Sequence, residues 1–215
     1  MSDCKTNTET LSVFCAKPMI YLFLLLWSSL SSAANETWVV LGDSISSGYG
    51  IPAGQGWVAL FQKKLSETGS KVKIINESIS GDTTAGGLSR LPEVLDRLKP
   101  QKIIVELGGN DGLRGLSLDA MKQNLSKIVA FCLAKNVDVM LLGMRLPPNY
   151  GRKYNDLFEK VYASISSQHN VSLLPFLLDG VGGQEEYMQA DRIHPNPNGQ
   201  KLLMHNVWTA LLPVI

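Results

Sequence analysis

Cysteine is scarce. Three in 215 residues are too few for a disulfide framework, and two of them, Cys4 and Cys15, precede the first long apolar run. An excess of charge of one sign is also missing. Twenty Lys+Arg against nineteen Asp+Glu give a net charge of +1, so nothing in the balance calls for nucleic acid or an anionic membrane surface as partner. No apolar run reaches the roughly 20 residues that a bilayer crossing needs. Repeats, linkers and low-complexity segments are absent as well, which excludes solenoids and multidomain machines. What is present is 45% apolar and 18% charged residues, enough for one well-filled core and far from the composition of disordered chains.

The longest apolar run, residues 19–27, is followed by serines and then Ser32-Ala33-Ala34. Its length, the small residues after it and Lys17 just before it resemble a secretory signal peptide, with a buried N-terminal helix as the alternative. The chain then divides into a leader, 1–34, and a domain, 35–215, expected in the periplasm or outside a bacterial cell with no stable membrane span after processing. Asp3 and Glu9 accompany Lys5 and Lys17 upstream, and a start at Met19 would lose both lysines, so both starts stay open. Processing would leave Cys132 alone. It continues the stripe of Leu118, Met121, Leu125 and Ile128, which marks a buried helix face rather than a reactive thiol.

After residue 35, short continuous apolar runs (38–41, 72–75, 103–105, 137–142 and 171–174) alternate with stretches of helical period (56–68, 84–98, 117–134, 152–168 and 198–212). Continuous apolarity is what strands covered on both faces require, so the pattern predicts about five parallel strands in a three-layer α/β/α domain. Pro92 predicts a kink or restart in the second helix. Ligands of such sheets gather at the carboxyl ends of the strands. Three of those ends carry small and polar clusters: Gly42-Asp43-Ser44, Ser80-Gly81-Asp82 and Gly108-Gly109-Asn110-Asp111.

Ser44, directly after a buried strand, has the placement of a nucleophile, although Gly42-Asp43-Ser44-Ile45-Ser46 is not the G-x-S-x-G elbow and, taken alone, reads better as a polar turn that caps a helix. A serine hydroxyl needs a base, best held by a carboxylate. Of three histidines, His169 reads as a solvated loop residue and His205 as an exposed helix residue. His194, three residues after Asp191 in a Pro-rich turn, can receive the carboxylate at Nδ1 and leave Nε2 facing outward. Asp-x-x-His could also be half a metal site, but no second histidine or thiolate cluster completes one, and no metal is expected. Gly81, Asn110 and the backbone of Ser44 supply donors for a developing oxyanion. Neither glycine cluster has the spacing of a phosphate loop or a dinucleotide fingerprint.

The ordered set Gly42-Asp43-Ser44, Gly81, Gly108-Gly109-Asn110-Asp111 and Asp191-Arg192-Ile193-His194 resembles the GDSL-type SGNH hydrolases. The stretches 77–83, 105–115 and 145–151 are similar to the branch of multifunctional acyl-CoA thioesterases, proteases and lysophospholipases. That resemblance implies a flavodoxin-like fold and a serine esterase or thioesterase acting on acyl-CoA, lysophospholipid or aryl esters. Ser44 would be nucleophile, His194 base and Asp191 its orienter, with Ser44, Gly81 and Asn110 as the oxyanion hole and no cofactor. An acetylesterase of the same fold, or a non-catalytic binding module, is the rival. Two positions depart from the family. Ile45 replaces its usual leucine, and Arg192 occupies a position often glycine, which would strain the turn if φ is positive and would set a cation beside the imidazole. Leu113, Leu116, Leu146, Pro147 and Tyr150 are the candidates for a fatty-acyl trough, or else simply pack their loops.

Overall fold

A computed structural model describes Met1 and residues 36–211, so the proposed leader apart from Met1 lies outside the described residues, and the fold belongs to the unit that begins at Asn35. Five strands, β1 (Thr37–Gly42), β2 (Lys73–Asn76), β3 (Lys102–Glu106), β4 (Asp138–Leu142) and β5 (Ser172–Leu174), form one parallel sheet in the order β2-β1-β3-β4-β5. Val39, Val40, Leu41, Ile103, Ile104, Leu141 and Leu142 are fully buried, which is why these strands read as unbroken apolar runs.

The helices are α1 (Ser44–Ser47), α2 (Trp57–Glu67), α3 (Thr84–Leu98), α4 (Gly109–Leu113), α5 (Leu118–Ala134), α6 (Arg152–His169) and α7 (Pro197–Leu211). The connection from β1 to β2 runs toward one edge of the sheet, while those from β2 to β3, β3 to β4 and β4 to β5 run the other way. Right-handed crossovers therefore put α2 on one face and α3, α5 and α6 on the other. Their packing agrees: α3 meets α5, α5 meets α6, and α7 comes back to pack on α2. The reversal opens a crevice between the carboxyl ends of β1 and β3. The register pairs Gly42 with Glu106 there.

The five expected strands and five long helices are all present, with ends shifted by one or two residues. Three expectations change, and a fourth, the burial of Cys132, holds. Pro92 does not break α3, which runs through it from Thr84 to Leu98. The ring is exposed, so water can reach the Leu88 carbonyl that loses its donor, and the buried Leu91, Val94 and Leu95 hold the helix together. His169 is not in a loop: it is the last residue of α6, half-buried, with Nε2 2.7 Å from the Ser126 hydroxyl. Two short helices, α1 and α4, stand where polar turns are expected. Cys132 is fully buried, and burial pushes its thiol up to about 12.

Candidate active site

The rim is built from strand ends that leave no room for side chains. A Cβ on Gly42 would lie 2.8 Å from Glu106 Oε2, Ser46 Cβ and Ser78 Oγ, so β1 must end in glycine. Asp43 then caps α1, its Oδ1 accepting from the Ile45 N–H at 3.0 Å, and Ser44 becomes the first residue of that one-turn helix. Half-buried Ser44 faces a loop 150 residues away in sequence: its Oγ is 2.9 Å from His194 Nε2. His194 Nδ1 is 2.6 Å from Asp191 Oδ2.

The loop that carries Asp191 and His194 is held from several sides. Asp191 Oδ1 accepts from the N–H groups of Ile193 (2.9 Å) and His194 (3.0 Å). Burial raises the Asp191 carboxyl, but the backbone and ring of His194 and the N–H of Ile193 together outweigh it and bring the group down to about 2. Arg192 takes a left-handed backbone, φ 58°. The Gln189 side-chain amide donates to the carbonyls of Tyr49 (2.8 Å) and Pro195 (3.1 Å), tying this loop to the segment after α1. The Tyr49 ring lies against the imidazole, with centroids 4.7 Å apart. Asn196 Oδ1 accepts from the N–H groups of Asn198 and Gly199 at the start of α7.

Opposite the imidazole are the donors. Gly81 has φ 80°, its carbonyl accepts from the Arg114 guanidinium at 2.8 Å, and its own N–H donates to no acceptor among the described residues. The Ser47 and Ser80 hydroxyls, 2.8 Å apart, join this turn to α1. Asn110 lies in α4, and its Nδ2 donates to Asp43 Oδ2 at 2.9 Å. Asp111 is structural: its two carboxylate oxygens accept from the hydroxyl (2.6 Å) and N–H (2.9 Å) of Thr84 at the start of α3.

A cavity of about 610 Å³ opens from Ser44, Gly81, Asn110 and His194. Of the residues expected to line it, Leu113, Leu146 and Pro147 do; Leu116 and Tyr150 do not. Leu116 ends the turn after α4, 44% exposed, and Tyr150 stands behind the wall, its hydroxyl donating to the Leu113 carbonyl at 2.8 Å. Much of the apolar lining was not singled out from sequence: Ile45, Met144, Phe176, Leu178, Met188 and Ile193. Phe176 and Leu178 follow β5, so extending the strand-end search to the fifth strand would have found them.

Among the described residues there is no group of three or more His, Cys, Asp or Glu placed to hold a metal ion, and no helix is long and apolar enough to cross a membrane. The arrangement can remove a proton from a serine hydroxyl, present N–H donors beside it and shelter an apolar chain.

Residues 40–202 match the GDSL-like Lipase/Acylhydrolase family. The chain is 48% identical over 183 residues to "Esterase TesA" of Pseudomonas aeruginosa, covering 85% of this chain and 91% of that protein. It is 40% identical over 198 residues to "Thioesterase 1/protease 1/lysophospholipase L1" of Escherichia coli K12, covering 92% of each. A crystal structure of TesA superimposes with a TM-score of 0.82 at 48% identity, covering 84% of this chain and 100% of that one.

Proposed function

The chain belongs to the GDSL-like lipase/acylhydrolase family and is an ester and thioester hydrolase; from that premise we propose that Ser44, His194 and Asp191 are its nucleophile, base and orienting carboxylate. The observation that carries this reading is the line from Ser44 Oγ through His194 to Asp191, with contacts of 2.9 and 2.6 Å. Ser44 Oγ attacks the acyl carbon while His194 Nε2 takes its proton. The carbonyl oxygen becomes an oxyanion received by the N–H groups of Ser44 and Gly81 and the Asn110 amide. His194 returns the proton to the departing alcohol or thiol, leaving the acyl group on Ser44. Water then attacks that ester with His194 again as base, releasing the acid and restoring the serine. Asp191 holds Nδ1–H throughout, so the ring presents a bare Nε2 to the serine.

The substrate in this reading is a fatty acyl ester or thioester, such as an acyl-CoA, a lysophospholipid or an aryl ester. The cavity supports it: Leu113, Met144, Leu146, Phe176 and Leu178 offer a chain far more apolar surface than an acetyl group can use. Specificity constants for esters and thioesters from C2 to C16 test the assignment, and a preference confined to acetyl esters would hand the site to an acetylesterase. Labelling tests the chemistry. A fluorophosphonate should modify Ser44 stoichiometrically and leave the His194→Ala variant untouched, whereas no labelling at high probe concentration would indicate a binding module.

Residues 1–34 complete the proposal as an export leader, which would place the mature hydrolase in the periplasm or outside the cell. The supporting feature is the apolar run followed by Ser32-Ala33-Ala34. N-terminal sequencing of protein recovered from its native host should begin at Asn35; an intact leader on all of it would refute export by cleavage.

A further inference from the structure

Two carboxyl groups lie beneath the nucleophile where the mechanism above uses neither. Asp43 is 2% exposed and Glu106 fully buried, and the pairing of Gly42 with Glu106 in adjacent strands brings them together. Among the described residues no lysine or arginine bridges either one. Arg90, on α3, is spent on Asp82, the Glu77 carbonyl and the Gly42 carbonyl. Two adjacent buried anions without a cation are prohibitively unfavourable, so the pair must hold a proton.

We propose that Asp43 and Glu106 form a single positioning device in which Glu106 carries the proton, Asp43 carries the charge, and Asp43 thereby aims the Asn110 amide. The hydrogen bonds decide where the proton sits. Both Asp43 oxygens accept: Oδ1 from the Ile45 N–H, Oδ2 from Asn110 Nδ2. Glu106 Oε2 accepts from the Ser46 hydroxyl (2.7 Å) and the Asp43 N–H (3.2 Å). Glu106 Oε1 is buried with no hydrogen-bond partner of either kind among the described residues, so charge placed on it would go unsolvated, whereas both Asp43 oxygens are held. Burial first, and then the Asp43 charge, push the Glu106 carboxyl well above its ordinary range. Burial lifts Asp43 less, to about 6, because the Ile45 N–H, Asn110, His194 and Glu106 all favour its anion. The buried Tyr162 hydroxyl of α6 also feels both acids, and it stays neutral, donating to the Leu107 carbonyl at 2.9 Å.

An ionised carboxylate can only accept, so Asn110 must turn its NH₂ toward Asp43 and keep its second N–H for the substrate oxygen. A protonated Asp43 would also tolerate the reversed amide, which would set a carbonyl against the developing oxyanion. Glu106, by holding the proton, keeps Asp43 in the useful state. This rests on the reading of Asn110 as an oxyanion donor.

The test is a cycle on a chromogenic acyl ester. Asn110→Ala should lower kcat by about 10²- to 10³-fold, as loss of one oxyanion donor does. In Asp43→Asn the new amide can still accept from Ile45 with its oxygen, which sets NH₂ against NH₂ at Asn110; kcat should fall about 10²-fold with KM within about threefold. The double variant should be no worse than Asn110→Ala alone, and losses that multiply would overturn the proposal. Near-normal turnover by Asn110→Ala would instead refute the oxyanion reading beneath it. Glu106→Gln tests the proton. A raised carboxyl means that the folded state keeps a proton which the unfolded chain has released, so stability should fall as pH rises above about 4.5, and the Gln variant should flatten that fall. Its kcat should drop no more than about fivefold, because glutamine, like the protonated acid, is neutral and keeps an oxygen to accept from the Ser46 hydroxyl and the Asp43 N–H. A loss in Glu106→Gln equal to that in Asp43→Asn, or an unaltered pH dependence of Tm, would show that Glu106 is not the proton carrier.

Discussion

Arg192 turns its guanidinium onto Glu185, with Nη2 2.8 Å from Oε1, although it stands only two residues before His194. Both partners are largely exposed, so the pair adds little to stability. Its significance is that the cation is committed elsewhere than the imidazole. From sequence, Arg192 is expected to set a cation beside the imidazole; in the structure its guanidinium is turned to Glu185 instead, while the strain expected of its backbone is present in the positive φ.

Arg192→Gly should therefore act on stability more than on pH. A left-handed backbone costs a side-chain-bearing residue about 1–2 kcal/mol, and glycine's extra freedom in the unfolded chain gives part of that back. A gain of about 1 kcal/mol, or about 2–4 °C in Tm for a chain of this size, is the expected outcome. The acid limb of kcat/KM should move by less than about 0.3 pH units; a larger move would mean that the Arg192 charge does act on His194.

Asp191→Asn should keep the fold and lose the chemistry. Asparagine's oxygen can go on accepting from the backbone N–H groups of Ile193 and His194, which leaves its NH₂ facing Nδ1. The ring then carries its proton on Nε2 and cannot take one from Ser44, so kcat should fall on the order of 10⁴-fold.

The same carboxylate contributes to acid sensitivity. Its folded value of about 2 lies below the ordinary 3.8, so its contribution is present above pH 3.8 and disappears as the pH falls toward 2. Urea unfolding of wild type and Asp191→Asn at several pH values should show a stability difference that narrows over that window. A gap that widens on acidification would contradict the sign.

Cys132 should be inert. Burial both hides the thiol and holds it near 12, so a thiol reagent should leave the native protein unmodified for hours at pH 8 and react on addition of denaturant. Mass spectrometry of the alkylated protein reads this directly.

Leu113→Trp should shorten the preferred acyl chain. Leu113 lines the cavity and is only half-buried, so a larger ring can enter the trough without overpacking the core. The specificity constant for a C12 ester should fall at least about tenfold while that for C4 stays within about threefold. Equal losses at both lengths would place the chain elsewhere.

Strand and helix order was legible because burial on both faces writes itself as unbroken apolar runs, and the carboxyl ends of those runs told where to look for a site. Ser44, Gly81, Asn110 and His194 were visible as chemistry that turns alone do not need. The helices α1 and α4 were not, since four or five residues carry no period and depend on Asp43 and Gly108 as local caps. The partnership of Asp43 with Glu106 was hidden for a different reason. In sequence Glu106 is one more acid at a strand end, and only the register of β1 against β3 sets it beneath Asp43. Leu116 and Tyr150 misled because apolarity near a strand end does not say on which side of the loop a side chain falls.

The contact between Ser44 and His194 spans 150 residues, and the histidine arrives only after the last strand, on a loop anchored to α7, which packs back on α2. During synthesis the sheet, the serine and the oxyanion donors can all assemble while the base is still inside the ribosome. A C-terminally clipped chain that stops after β5 would thus lack the proposed base together with the Phe176, Leu178, Met188 and Ile193 wall of the cavity.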